Sequence, residues 1–143
     1  MADRPRISIS TDLSEGMCYG CGQNNPLGLK LSFKPDGKTA RAEFTFQKLH
    51  QGWPGVVHGG VITTILDEAM GWANRFNGLD GLTARLKVNF KRPLQIGDKV
   101  IVTSSVTRND GRYIETEAKL SLPDGTVMAE GASTYVVIES TEQ

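Results

Sequence analysis

Only one stretch of this chain repeats its apolar residues at helical spacing, and that limits the fold more than any other feature. Ile62, Leu66, Ala69, Ala73 and Phe76, with Ile65 beside them, recur at intervals that stack them on one helical face. Asn77-Gly78 supplies the stop signal, since both residues tolerate the left-handed backbone that ends helices. Elsewhere the period is two. Leu27, Leu29, Leu31 and Phe33 alternate with Gly28, Lys30 and Ser32, and the Pro35-Asp36-Gly37 turn leads into a second strand over 39–46. Leu86, Val88 and Phe90 alternate with Arg85, Lys87, Asn89 and Lys91 in a run from Thr83 to Arg92. Strands over 99–107, 113–122 and 126–138 follow, separated by Asn109-Asp110-Gly111 and Pro123-Asp124-Gly125. A lone helix among strands must be what the sheet buries its apolar face against. The pattern therefore predicts an α+β domain, one long helix wrapped by an antiparallel sheet. Residues 1–16 lack periodicity and are expected to form a flexible arm, leaving 17–140 as a single domain.

At 143 residues the chain is one domain's worth, enough to bury roughly 70% of its unfolded surface without staples. Its 16 basic and 16 acidic residues give no global field to attract nucleic acid or an acidic membrane. No apolar run reaches membrane-spanning length, and the opening Met-Ala-Asp-Arg-Pro-Arg lacks the apolar core of a signal peptide. A cytoplasmic protein with a small-molecule partner is the expectation. Cys18 and Cys21 form a lone C-x-x-C for which His50 and His58 would have to complete a zinc site. Set among Gly20, Gly22, Asn24, Asn25 and Pro26, the pair reads instead as a reduced, turn-rich loop with no metal.

The chemistry is concentrated in Pro54-Gly55-Val56-Val57-His58-Gly59-Gly60 and the Asp67-Glu68 pair that follows. Gly59 and Gly60 fall at the helix start, where amides have no intrahelical partner and can donate to an anion. With Asp67 two turns along, the motif predicts one site holding both an oxyanion and a carboxylate, which suits chemistry at a carbonyl. A helical projection puts Asp67 on the flank of Thr63, Met70 and Asn74, and Glu68 on the opposite flank with Thr64 and Trp72. The two acids are therefore not a dyad, and Glu68 is expected as an exposed carboxylate. Gly60 suits close packing, and His58 suits capping or orienting the helix start. Thr83 opens its strand with a hydroxyl that could orient a water near Asp67. Arg85, Lys87, Asn89 and Lys91 share one strand side, with Arg92 adjoining; this is either a solvated face or a phosphate-binding strip.

Taken together, these motifs resemble the hotdog-fold acyl-CoA thioesterase superfamily, of the phenylacetyl-CoA thioesterase-like and human thioesterase-superfamily-member type. The similarity covers about residues 18–138. It rests on the 54–60 motif, on Asp67 nine positions after His58, and on Asn89-Phe90-Lys91-Arg92-Pro93 leading into Ile96-Gly97-Asp98. Cys18-Tyr19-Gly20-Cys21-Gly22 and Asn25-Pro26-Leu27-Gly28-Leu29 resemble a subset of that family. The resemblance implies a curved sheet of five to six strands around the helix. It also implies a homodimer or homotetramer (a dimer of dimers) whose active sites draw on both subunits, and hydrolysis of an acyl-CoA thioester. No cofactor is implied, because CoA is part of the substrate. By resemblance, the Gly59 amide polarises the carbonyl, Asp67 acts as general base or nucleophile, Thr83 positions water and His58 braces the loop. Gly60 lies on the substrate side, and Arg85, Lys87, Asn89, Lys91 and Arg92 would hold CoA. Relatives often carry a side-chain amide or acid about six residues before the histidine; here Gly52 stands there, with Gln51 as the neighbouring substitute. Two alternatives stay open: a hotdog protein that binds acyl-CoA or another small ligand without chemistry, and a hydratase or dehydratase.

Overall fold

The computed structural model describes residues 8–140. Its one long helix, α1 (Gly59–Phe76), starts and stops where the sequence signals say. The His58 ring caps the N-terminus, the Asn77 amide bonds back to the Ala73 carbonyl, and Gly78 takes a φ of +76° just beyond. Ile62, Ile65, Leu66, Ala69, Met70, Ala73 and Asn74 make up its buried face.

That face is covered by a six-stranded antiparallel sheet. Its strands are β2 (Lys34–Asp36), β3 (Thr39–Thr45), β4 (Gly81–Phe90), β5 (Lys99–Asn109), β6 (Tyr113–Ser121) and β7 (Val127–Val137). They lie in the order β2-β3-β5-β6-β7-β4. Alternate residues turn inward as a period of two requires: Val100, Val102 and Ser104 on β5; Ile114, Thr116, Ala118 and Leu120 on β6. On β7, Gly131 faces the helix, and its absent side chain leaves room for Met70 and Leu66. The expected helix wrapped by a curved sheet is thus the observed architecture.

Leu27 to Phe33 does not form the strand that its alternation suggests. Leu29, Leu31 and Phe33 are buried, but Lys30 has a φ of +54° and breaks the extended run. The amides of Leu29 and Leu31 bond to the carbonyls of Tyr19 and Gly20 in the cysteine loop rather than to a neighbouring strand. Only Lys34–Asp36 pairs with β3. Of the expected arm, residues 1–7 lie outside the described residues. Ser8–Ile9 (β1) pairs in parallel with Glu139–Ser140 (β8), and Arg75 Nη2 donates to the Thr11 carbonyl.

Two features of β4 position the functional residues. It ends the sheet with β7 as its single neighbour, so its outer edge is unpaired among the described residues, with Leu82 and Phe90 exposed upon it. Its register against β7 also slips between Thr83 and Arg85. Thr83 faces Tyr135 across the ladder, on the helix side, whereas Arg85 faces Thr134 on the outer side. A strictly alternating strand would have put both on one face; the extra residue, Ala84, re-aims them.

Leu66 is fully buried between helix and sheet. Leu66→Ala should cost about 2–5 kcal/mol in urea unfolding, and a cost near zero would show that the helix–sheet seam is not the core.

Candidate active site

At the start of α1 the two glycines have separate tasks. Gly60 N–H donates to His58 Nδ1 at 2.8 Å, and a Cβ on Gly60 would stand only 3.0 Å from that nitrogen. Gly60 therefore has to be small for the cap to form. Gly59 N–H has no partner among the described residues, and a Cβ there would meet only the Phe90 ring, at 3.6 Å. Its amide is the unspent donor of the first helical turn. An open cavity of about 490 Å³ lies beside it, lined by Gln51, Gly52, Trp53, Val57, His58 and Gly59. Gln51 Oε1 accepts from Gly55 N–H at 2.8 Å, and its Nε2 has no partner among the described residues. Gly52 is hemmed in by His58, whose Cα would lie 3.2 Å from a Cβ at that position. Packing thus accounts for the glycine where a polar side chain was expected.

Asp67 sits on the β4 and β7 side of the helix. Thr83 Oγ1 donates to Asp67 Oδ1 at 2.8 Å, and Tyr135 Oη, 3.0 Å from both that oxygen and the Asp67 carbonyl, shares its one proton between them. Because Thr83 and Tyr135 are register partners on adjacent strands, both hydroxyls arrive together. Asp67 Oδ2 has no partner among the described residues. Burial pushes the Tyr135 hydroxyl far above its usual range, with Asp67 adding to the shift, so Tyr135 stays a donor. Sequence reading missed Tyr135. Its one signal was a polar tip on an inward-facing strand position.

The expectation that helix start and carboxylate form one site does not hold within one chain. Asp67 lies eight positions after Gly59, and at about 1.5 Å per residue they stand about 12 Å apart along the axis. The chain therefore presents the amide and the carboxylate at two separate places on α1. Arg85, Lys87 and Arg92 are exposed and make no ion pair among the described residues, while Lys91 pairs with Glu130 at 3.4 Å. Asn89 is exposed opposite Glu130.

Glu68 corrects a second expectation, because it is half-buried rather than exposed. It leans on the cysteine loop, where Cys18 Sγ donates to its Oε1 at 3.6 Å. Burial raises the Glu68 carboxyl above its ordinary value. Burial, with the neighbouring Cys18 and Glu68, pushes the Cys21 thiol up to about 12. Both cysteines are free thiols, as the sequence suggested. No helix among the described residues is long and apolar enough to cross a membrane.

The sequence pattern of the thioesterase superfamily matches residues 54–129, just over half of the chain. Acyl-coenzyme A thioesterase THEM4 of Bos taurus is 26% identical over 138 residues, covering 94% of this chain and 57% of that protein. The chain thus spans little more than half the length of that relative. A crystal structure of a thioesterase superfamily protein has 28% identity and a TM-score of 0.79, covering 94% of this chain and 71% of that one. A hypothetical thioesterase crystallised with coenzyme A, from Streptococcus pneumoniae, has the same fold at 17% identity and a TM-score of 0.72, covering 78% of this chain and 91% of that one.

The loop that presents Gly59 hangs on His50. This buried ring packs on Phe44 and Phe46, its Nδ1 accepts from Gln47 N–H at 2.9 Å, and its carbonyl accepts from His58 N–H at 2.9 Å. Burial lowers its pKa from the ordinary 6.5. The folded chain then holds His50 neutral where the unfolded chain takes a proton. Its contribution to stability is complete above 6.5 and is lost as pH falls from there towards the folded value. The slope is at most about 1.4 kcal/mol per pH unit for one proton. An NMR titration of the His50 ring should give a midpoint below 6.5; a midpoint at or above that value contradicts the assignment.

Proposed function

The chain belongs to the thioesterase superfamily, and from that premise we propose that it hydrolyses an acyl-CoA thioester to the free acid and CoA, at a site shared by two copies of the chain. The observation that carries this reading is the Asp67 carboxylate, clamped at Oδ1 by two hydroxyls and open at Oδ2. A pure binder has no use for a carboxylate held in that way.

The chemistry follows from the two half-sites. Asp67 Oδ2 takes a proton from a water molecule as its oxygen attacks the thioester carbonyl carbon. Thr83, whose proton is committed to Asp67, keeps lone pairs that can accept from this water. The carbonyl oxygen becomes an oxyanion and is held by the Gly59 amide of the second copy, assisted by the positive end of its helix. Collapse of the intermediate breaks the C–S bond, and the departing CoA sulfur takes the proton from Asp67. His58 keeps Gly60 N–H occupied and so fixes the approach to Gly59. Gly60 and the Nε2 of Gln51 line the way in for the acyl group. Arg85, Lys87, Asn89 and Arg92 offer charge and hydrogen bonds to the CoA phosphates, and Lys91 would have to leave Glu130 to join them.

Two observations support a homodimer, alone or within a dimer of dimers. The amide and the acid are too far apart to serve one carbonyl from one chain. The unpaired edge of β4, with exposed Leu82 and Phe90, is a ready surface for a second copy.

Asp67→Asn keeps an oxygen for Thr83 and Tyr135 but removes the base. It should lower acyl-CoA hydrolysis, followed as free-thiol release, by roughly 10²- to 10⁴-fold with the melting curve unchanged. Gly59→Pro deletes the amide donor at a helix position that favours proline, next to a His58 already at φ −63° and ψ 132°. A loss of roughly 10²- to 10³-fold is expected, with Gly59→Ala far milder. Full activity in folded Asp67→Asn would end the proposal.

A further inference from the structure

A second cluster of reactive groups lies on the opposite flank of α1 and has no part in the hydrolysis described above. Cys18 and Cys21 come from the loop before β2 and Glu68 from the helix. Their two sulfurs and a carboxylate oxygen all lie within 4.8 Å of one another. Cys18 Sγ stands 3.6 Å from Glu68 Oε1. A tetrahedral zinc ion with bonds of about 2.3 Å to sulfur and about 2.0 Å to oxygen sets an S···O edge of about 3.5 Å. The Cys18–Glu68 edge already matches it, and the other two edges lie within 4.8 Å.

The surrounding chain is shaped to keep these groups together. Gly22 N–H closes the loop onto the Cys18 carbonyl at 2.8 Å, and Cys21 N–H points at Cys18 Sγ from 3.5 Å. A Cβ on Gly20 would collide with the Glu68 side chain, so the bare backbone there is what lets the carboxylate reach the sulfurs. A cavity of about 220 Å³ adjoins all three residues, with Gly71, Trp72 and Arg75 among its walls. Arg75 does not neutralise the cluster, being committed to the Thr11 carbonyl, to Asp80 and to the face of Trp72. Two thiols and a carboxyl group thus share one half-buried corner with room beside them, and no cation among the described residues forms an ion pair with Glu68.

We propose that Cys18, Cys21 and Glu68 bind a zinc ion, its fourth position open to water from the adjoining cavity. Two Zn–S bonds and one Zn–O bond form, and the two thiol protons pass to solvent. Two thiolates and a carboxylate suit zinc better than the hard cations calcium or magnesium, which prefer all-oxygen ligands. The ion ties the cysteine loop, and through it the buried Leu29 and Leu31, to the turn of α1 that carries Asp67. The sequence reading set a metal aside, because only His50 and His58 were considered as further ligands. Both are committed elsewhere, to Gln47 and Gly60, and the third ligand is a carboxylate from the helix.

The full chain, purified under reducing conditions and stripped with a chelator, is titrated with cobalt(II) chloride and then with zinc chloride. One equivalent of cobalt should bind, with a thiolate-to-cobalt charge-transfer band in the near ultraviolet and tetrahedral bands in the visible, all abolished by zinc. Cys18→Ser, Cys21→Ser and Glu68→Gln should each weaken zinc binding by more than about 100-fold, the upper range for losing a mere outer-shell partner. Should a variant fail to fold, the unsubstituted chain still decides the matter: zinc must protect both thiols from alkylation. Absence of the charge-transfer band, thiols that react equally with and without zinc, or full affinity in folded Glu68→Gln would overturn the proposal.

Discussion

An α-helix rises about 1.5 Å per residue, and the eight steps from Gly59 to Asp67 therefore set their backbone positions about 12 Å apart along the axis. Most of what is distinctive in the molecule can be traced to that fixed separation. The helix cannot bend to close the gap, because its inner face is locked against β5, β6 and β7 by fully buried side chains such as Ile65, Leu66 and Met70. Each end of it is instead furnished separately. The N-terminus has a histidine cap and an unspent amide beside an open cavity; the middle has a carboxylate gripped by two hydroxyls. On the proposed reading, a second copy joins the two ends into one site, and the unpaired edge of β4 is where that copy would dock.

The carboxylate depends on the sheet as much as on the helix. Thr83 and Tyr135 can meet at Asp67 only because they face each other across the β4–β7 ladder, and Thr83 looks inward only because the register slips at Ala84. The same slip sends Arg85 and Lys87 to the outer face. One irregularity thus separates the residues assigned to the reacting carbonyl from those assigned to the phosphates. This is a use for which bulges beside active sites are well suited.

The broad fold was legible in the sequence because its signals were local. A 3.6-residue period bounded by His58 and Asn77-Gly78 can hardly be anything but the one helix, and turn residues marked each later hairpin. Leu27 to Phe33 misled because burial alternates there as in a strand, while the hydrogen bonds go to the cysteine loop, which no periodicity can show. At the site, Asp67, Gly59, Thr83 and His58 could be read from motif and resemblance. Tyr135 and the inward turn of Thr83 could not, since both depend on a register slip at an ordinary alanine. Glu68 was read as exposed because the projection shows which side of the helix it takes, but not that the cysteine loop folds against that side.

The central claim is that the Gly59 amide and the Asp67 carboxylate serving one carbonyl come from different copies of the chain. It is tested most directly by co-expressing Asp67→Asn with Gly59→Pro under different affinity tags and assaying the purified hybrid for acyl-CoA hydrolysis. If each site takes one residue from each copy, one of the hybrid's two sites carries both lesions and the other carries none. About half of the unsubstituted dimer's turnover should then return, although each parent variant is nearly inactive. A hybrid as inactive as its parents would mean that both groups act from a single chain, and would contradict the account.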